Sequence, residues 1–193
     1  NTPNTIISFL ATNSIGAIWS SCSPDFGIDA ILDRFSQIEP VAIMFTNSYH
    51  YGGKFIDISE KNIEVIRRLK SVKHKFLMNY PEENTSINNF DIDLETVFSN
   101  QDISKEVLFE KSLFNDPMYI LYSSGTTGKP KCIVHNTGGP LIQHMKEQQL
   151  HCDLKENDKI FYFTTCGWMM WNWLITALSS SASILLYDGS PFF

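Results

Sequence analysis

The sequence predicts an α/β protein: a three-layer arrangement in which a mainly parallel sheet is flanked by helices. Three observations carry that expectation. Apolar runs of strand length, such as Val41-Ala42-Ile43-Met44-Phe45, recur along the chain. Segments with helical apolar spacing, such as Ile28, Ile31, Leu32, Phe35 and Ile38, lie between them. Strands alternating with helices imply crossover connections, and these build parallel sheets. The composition can fill such a core, with 43% hydrophobic against 19% charged residues in 193.

The elements follow in order. Thr2-Pro3 reads as an N-cap followed by proline at the first helical position, with Ile7, Leu10, Ala11, Ala17 and Ile18 behind it. Residues 19–22 read as a short extended piece that enters a turn at Pro24-Asp25-Phe26-Gly27. The stripe from Ile28 to Ile38 is a helix ended by Pro40. Residues 41–45 are a strand buried on both faces. Residues 47–54, with Gly52-Gly53, read as a loop, and Ser59 reads as the cap of a helix reaching about Leu69. Ile58 and Ile63 are spaced for a hydrophobic staple, and Glu64 and Arg68 for an ion pair. Residues 76–78 sit in a strand. Residues 81–116 are polar and Asn-rich, a surface excursion with a weak helical signal at 94–98. Strands are then expected at 118–122, 131–135, 160–164 and 183–187, and helices at 137–150 and 168–178.

The net charge is −6, from 15 Lys+Arg and 21 Asp+Glu, which argues against a nucleic-acid-binding domain. Cys22, Cys132, Cys152 and Cys166 form no CxxC pair, so neither a zinc site nor a disulfide framework is expected, and a reduced, cytoplasmic setting fits. The longest apolar run, residues 166–178, is well short of the roughly 20 residues a membrane span needs. The chain begins at Asn1 almost inside a helix signal and stops at Phe193 just past a strand, which reads as a piece of a longer protein.

The chemistry concentrates in Tyr122-Ser123-Ser124-Gly125-Thr126-Thr127-Gly128-Lys129-Pro130-Lys131, placed between two expected strands. Glycines admit a ligand close to the backbone. Successive N–H groups and hydroxyls make a concave anion site, and Lys129 and Lys131 add charge for a polyphosphate. The bland alternative is a solvated hairpin tip, since Ser, Gly and Thr are common there. A Walker A loop is excluded: Gly125 and Gly128 are only three apart, Pro130 follows Lys129, and a strand, not a helix, comes next.

This string resembles the phosphate-binding signature of the adenylate-forming superfamily, which includes acyl-CoA synthetases, luciferases and peptide-synthetase adenylation domains. Residues 14–27, the segment Phe163-Thr164-Thr165-Cys166-Gly167-Trp168-Met169-Met170-Trp171-Asn172-Trp173, Lys131-Cys132-Ile133-Val134-His135 and Tyr187-Asp188-Gly189-Ser190-Pro191-Phe192 are similar to the acetoacetyl-CoA synthetase branch. Acetyl-CoA synthetases share Ile15-Gly16-Ala17 and Gly167-Trp168 but usually carry Val-Thr-Gly-His at positions 169–172. The resemblance implies that residues 1–193 are an internal fragment of a large N-terminal AMP-binding domain. It also implies an AMP-forming ligase that joins acetoacetate to coenzyme A using ATP and Mg²⁺. No nucleic acid or membrane partner is implied.

On this sequence the resemblance assigns Ser123, Ser124, Gly125, Thr126, Thr127, Gly128, Lys129 and Lys131 to the β- and γ-phosphates of ATP, with Thr126 or Thr127 also touching Mg²⁺. It assigns Trp168, Met169 and Met170 to the acyl pocket, where flexible Met side chains accept a chain longer than acetate. Asn172 is a candidate donor to a keto oxygen, while Trp171 and Trp173 read as core. Coenzyme A is harder to place. Pro24-Asp25-Phe26 stand where acetyl-CoA synthetases have Gly-Gly-Phe, and no Arg stands near Tyr51 or Lys54, which leaves Lys54 as the candidate by position alone. His135, His144 and His151 have no metal-like spacing and read as structural or surface residues.

No side-chain nucleophile is needed, because the substrates supply the nucleophiles and the protein positions them. The family's adenine-binding Tyr-Gly-x-Thr-Glu element, its ribose-binding Asp, its Mg²⁺-holding Glu and its C-terminal domain with the adenylation lysine are not among these residues, so the chain alone is expected not to ligate. Three alternatives remain open: a ligase for another short-chain acid such as acetate or butyrate, a P-loop-like NTPase domain, and a non-catalytic binding module.

Overall fold

The computed structural model describes residues 1–80, 90–100, 102, 104–123 and 128–192. The first part of the chain contributes α1 (Pro3–Ser14), β1 (Trp19–Ser20), α2 (Ile28–Phe35), β2 (Ala42–Thr46), β3 (Ser48–Tyr51), β4 (Lys54–Asp57), α3 (Ser59–Arg68) and β5 (His74–Met78). Next come β6 (Ile92–Asp93), α4 (Leu94–Ser99), β7 (Pro117–Tyr122), β8 (Cys132–Asn136) and α5 (Gly138–Lys146). A π-helical turn (Glu147–His151) extends α5, and β9 (Lys159–Ile160), α6 (Met169–Thr176), a 3₁₀ turn (Ala177–Ser180) and β10 (Ser183–Ile184) complete the series.

These elements fall into two compact units. The first comprises residues 1–23, 107–123 and 132–188. In it β1 runs parallel to β7, with Trp19 opposite Tyr119, and β8 runs antiparallel to β7, with Tyr122 opposite Cys132. Thr2 caps α1 by accepting from Thr5 N at 3.3 Å, and Pro3 opens the helix. The core joins Ile6 and Phe9 of α1, Tyr119 and Leu121 of β7, Cys166, and Trp171 and Ile175 of α6. The rings of Phe9 and Trp171 meet edge to face at 5.5 Å, and Trp19 lies nearly parallel to Trp171 at 6.4 Å. Such pairs add to the area that the aromatics bury. Trp171 has no exposed surface, and its indole N–H donates to Asn1 Oδ1 at 2.9 Å. A smaller cluster of Leu154, Ala177 and Ala182 lies with Ile160 and Ile184 of the parallel pair β9–β10.

The second unit is built from the described residues of 24–106, with 128–131 and 189–192. Its parallel sheet has the order β2-β5-β6. Val65 of α3 is fully buried, and Asn62 donates to the Thr46 carbonyl at 2.7 Å, tying α3 to the end of β2. On its outer side α3 holds Glu64 between Arg67 and Arg68, 2.7 Å from each, and those guanidiniums pull its carboxyl down to about 2.

Helices and parallel strands alternate as expected, with several differences. Among the described residues the strands form four small sheets, and β7–β8 and β3–β4 are antiparallel. The expected loop at 47–54 is part of the hairpin β3–β4, whose turn uses Gly52 and Gly53 at φ +56° and +70°; the left-handed pair is a known hairpin signal. Ser59 is the first helical residue, not the cap: Ile58 takes that position, and Asp57 Oδ1 accepts from Ser59 N at 2.7 Å. Residues 41–45 are not buried on both faces, since Ile43 and Phe45 are buried while Val41 and Ala42 are exposed. The helix at 137–150 is α-helical only to Lys146, and the strands expected at 160–164 and 183–187 pair only at 159–160 and 183–184.

Replacing Trp171 with Ala empties the centre of the first unit and orphans Asn1 Oδ1. Urea unfolding is expected to show a loss of about 3–5 kcal/mol.

Candidate functional site

β7 of the first unit leads into the chemistry-bearing string. β7 ends at Tyr122, and residues 123–131 join it to β8. β8 is a strand, so no helix N-terminus follows the loop and the distinction from a Walker A arrangement holds. Ser20 of β1 braces the exit: its Oγ donates to the Ile120 carbonyl and lies 3.0 Å from the Tyr122 hydroxyl. Ser124, Gly125, Thr126 and Thr127 lie outside the described residues, and with them the two hydroxyls assigned to Mg²⁺.

The far arm of the loop belongs to the second unit. A Cβ at Gly128 would meet nothing within 4 Å, so the arm is open there. Lys129 extends its ammonium into solvent and lies 3.4 Å from Asp33 of α2. Gln37 donates to the Pro130 carbonyl at 2.8 Å. Neither Asp33 nor Gln37 is evident from the loop's own sequence; only the fold shows α2 beneath it.

In the first unit α6 carries the second group of expected site residues. Gly167 precedes it, where a Cβ would come within 3.2 Å of Cys22 Cα, a tight approach of the two backbone segments. Ser21 adds a bond to the Cys166 carbonyl at 2.5 Å. The helix starts at a fixed point, and its first residues face outward: Trp168 is 66% and Met169 48% exposed, with Met170 half-buried. Trp171 and Trp173 are core, as their apolar setting predicts. Asn172 is buried with both carboxamide atoms lacking a hydrogen-bond partner among the described residues. A buried amide without a partner carries a desolvation cost. Four residues on, Thr176 Oγ1 lies 2.9 Å from His144 Nδ1.

His135 stacks on Tyr119 at 4.8 Å, His144 is buried, and burial lowers the pKa of both; His151 is exposed. Among the described residues no group of three His, Cys, Asp or Glu could hold a metal ion. Cys152 is exposed and Cys166 buried, and no described helix is long and apolar enough to cross a membrane.

In the second unit Lys54 opens β4 and is exposed, opposite Tyr51. The turn at Pro24-Asp25-Phe26 is held by a residue the sequence reading passed over: Lys61 donates to the carbonyls of Pro24 and, at 3.0 Å, of Phe26. A lysine in the first turn of a helix opposes the helix dipole, and that placement was the available signal of a specific partner. Arg34 stacks over the Phe26 ring at 4.6 Å.

Burial pushes the Tyr119 hydroxyl up to about 12, and this hydroxyl has no partner among the described residues. A folded pKa above the unfolded value near 10 gives stability that is complete below pH 10 and is lost as pH rises towards 12. Tyr119→Phe is therefore expected to be nearly neutral at pH 7 and to flatten the fall in stability between pH 10 and 12, by about 2–3 kcal/mol, in denaturation curves across that range.

The acetoacetyl-coenzyme A synthetase of Rhizobium meliloti (strain 1021) is 46% identical over 200 residues, covering 100% of this chain and 30% of its own length. The acetoacetyl-CoA synthetase of Gallus gallus is 46% identical over 197 residues, covering 99% of this chain and 30% of its own length. A malonamoyl-CoA synthetase of Penicillium aethiopicum is 37% identical over 207 residues, covering 100% of this chain and 28% of its own length. Among solved structures, acetoacetyl-CoA synthetase from Streptomyces lividans superposes with a TM-score of 0.93 at 41% identity, over 99% of this chain and 29% of that one. The chain thus spans about 30% of the length of these relatives. The family model described as "AMP-binding enzyme" matches residues 1–193, so this chain belongs to the family of AMP-binding enzymes.

Proposed function

We propose that these residues are part of an ATP-dependent ligase that joins acetoacetate to coenzyme A. In the first half-reaction a carboxylate oxygen of acetoacetate attacks the α-phosphorus of ATP, and pyrophosphate leaves as the acyl-adenylate forms. In the second the coenzyme A sulfur attacks the acyl carbon, AMP leaves, and the thiol proton is released. The observation that carries this reading is the hydroxyl-, glycine- and lysine-bearing connection of β7 and β8, in a chain 46% identical to acetoacetyl-CoA synthetases. We assign Ser123, Gly128, Lys129 and Lys131, with residues 124–127, to the β- and γ-phosphates. Mg²⁺, met by Thr126 or Thr127, would neutralise charge on the leaving pyrophosphate. Lys54 remains the candidate for coenzyme A. Four cysteines far apart in sequence, with no CxxC pair, fit a cytoplasmic enzyme.

Trp168 and Met169 form the outward lip of the acyl site, with Met170 beside them, and Asn172 reads the substrate's second carbonyl. Acetoacetate and a malonamoyl acid share a carbonyl one methylene from the carboxylate, and relatives named for both are similar to this chain. An amide buried without a partner is the group expected where such an oxygen must be recognised. The substrate class is therefore short acids with a carbonyl at that position, ahead of plain acids such as acetate or butyrate.

The test uses the full-length polypeptide that carries these residues. Exchange of labelled pyrophosphate into ATP should depend on acetoacetate, whereas phosphate release in place of exchange would support an NTPase. Asn172→Leu is expected to lower kcat/KM for acetoacetate about 10-fold, the worth of one neutral hydrogen bond, while leaving butyrate within about 2-fold. Equal losses on both acids would make Asn172 purely structural. The 193-residue chain by itself is expected to release no pyrophosphate from ATP and acetoacetate; release at enzymatic rates would contradict the assignment of the remaining groups to other parts of the polypeptide.

A further inference from the structure

The arm from Gly128 to Lys131 is held within its own unit by two side chains of α2 and the turn that follows it. Gln37 Nε2 donates to the Pro130 carbonyl at 2.8 Å and to the Asp33 carbonyl at 2.5 Å, so a single amide links the arm to the end of the helix. Asp33 places a carboxylate 3.4 Å from the Lys129 ammonium. The two contacts differ in kind. The Gln37 bond fixes backbone, and Pro130 adds rigidity through its locked φ. The Asp33–Lys129 pair joins two largely exposed groups, an arrangement worth little and easily screened. A nucleotide polyphosphate offers an ammonium several charged oxygens where Asp33 offers one carboxylate, so it outcompetes Asp33 for the same lysine. An uncompensated carboxylate then stands beside a bound polyanion, which opposes binding.

We infer that α2 seats the lysine arm of the phosphate loop: Gln37 anchors Pro130, and Asp33 occupies Lys129 as a placeholder that the incoming polyphosphate displaces. Asp33 and Gln37 are positioning residues that act through Lys129 and Pro130. The inference rests on the reading of residues 123–131 as the phosphate loop.

The test compares wild type, Asp33→Asn, Asp33→Glu and Gln37→Ala in the full-length polypeptide, by acetoacetate-dependent pyrophosphate exchange and by calorimetric binding of inorganic tripolyphosphate. Asp33→Asn is expected to lower KM for ATP about two- to five-fold at low salt with kcat unchanged, the range of an exposed ion pair. The difference should vanish at about 0.5 M KCl, where exposed charges are screened. Asp33→Glu should restore the wild-type KM. Gln37→Ala should raise KM by at least about two-fold, with kcat again unchanged. Tripolyphosphate affinity should follow the same order. An unchanged or raised KM in Asp33→Asn overturns the placeholder, and an unchanged or lowered KM in Gln37→Ala overturns the anchor. A wild type that shows no ATP-dependent exchange and no tripolyphosphate binding instead overturns the phosphate-loop reading, and this inference with it.

Discussion

Burial of Trp171 is the constraint on which the first unit depends. Its indole fills the space between Phe9 of α1 and Trp19 of β1, in one cluster with Tyr119 of β7, and it donates to Asn1 at the start of the chain. Three elements far apart in sequence are thereby registered on one side chain. The result positions both ends of the chemistry that this unit carries. β7, held by Tyr119 and paired with β1, delivers Ser123 at its end. α6, held by Trp171 and Ile175, turns Trp168 and Met169 outward at its start. The inward Trp171 and the outward Met169 are two residues apart on one helix, so the rotation of α6 sets which side chains are packed and which are exposed.

Much of this was legible in the sequence because local rules and tertiary packing agree. Thr2-Pro3 opens α1 as a cap and a first-position proline should, and the Ile28–Phe35 stripe becomes a helix with Ile31 and Phe35 buried. The strand pair on either side of the hydroxyl-rich string is where the apolar runs place it. Three kinds of misreading have distinct causes. Residues 48–51 and 54 have loop-like composition around the Gly52-Gly53 turn, yet pairing of Ser48 with Asp57 and Tyr51 with Lys54 outweighs that composition. Residues 161–163 and 186–187 have strand composition, but the parallel pairing covers only 159–160 with 183–184, since strand propensity reflects a neighbour's presence as much as a residue's preference. The capping of α3 moved by one residue because Asp57, not Ser59, supplies the acceptor.

The candidate site divides along the same line. Loop chemistry could be named from residue types, since glycines, hydroxyls and lysines between two strands suit an anion whatever the surrounding fold. The supporting residues could not. Lys61 under the Pro24–Phe26 turn, Gln37 under Pro130 and Asp33 beside Lys129 are distant in sequence from what they hold. Asn172 lies between the two kinds. Its residue type suggested a donor, and its buried, unpaired state is a property of the fold alone. None of these groups is a nucleophile; their chemistry suits holding and orienting a bound group.

Amide hydrogen exchange on the full-length polypeptide tests the central claim most directly, because it reads the loop without relying on turnover. With ATP alone, protection should rise across residues 123–131 and stay unchanged at 168–172; adding acetoacetate should then protect the start of α6. ATP binding that leaves exchange at 123–131 untouched would contradict the account.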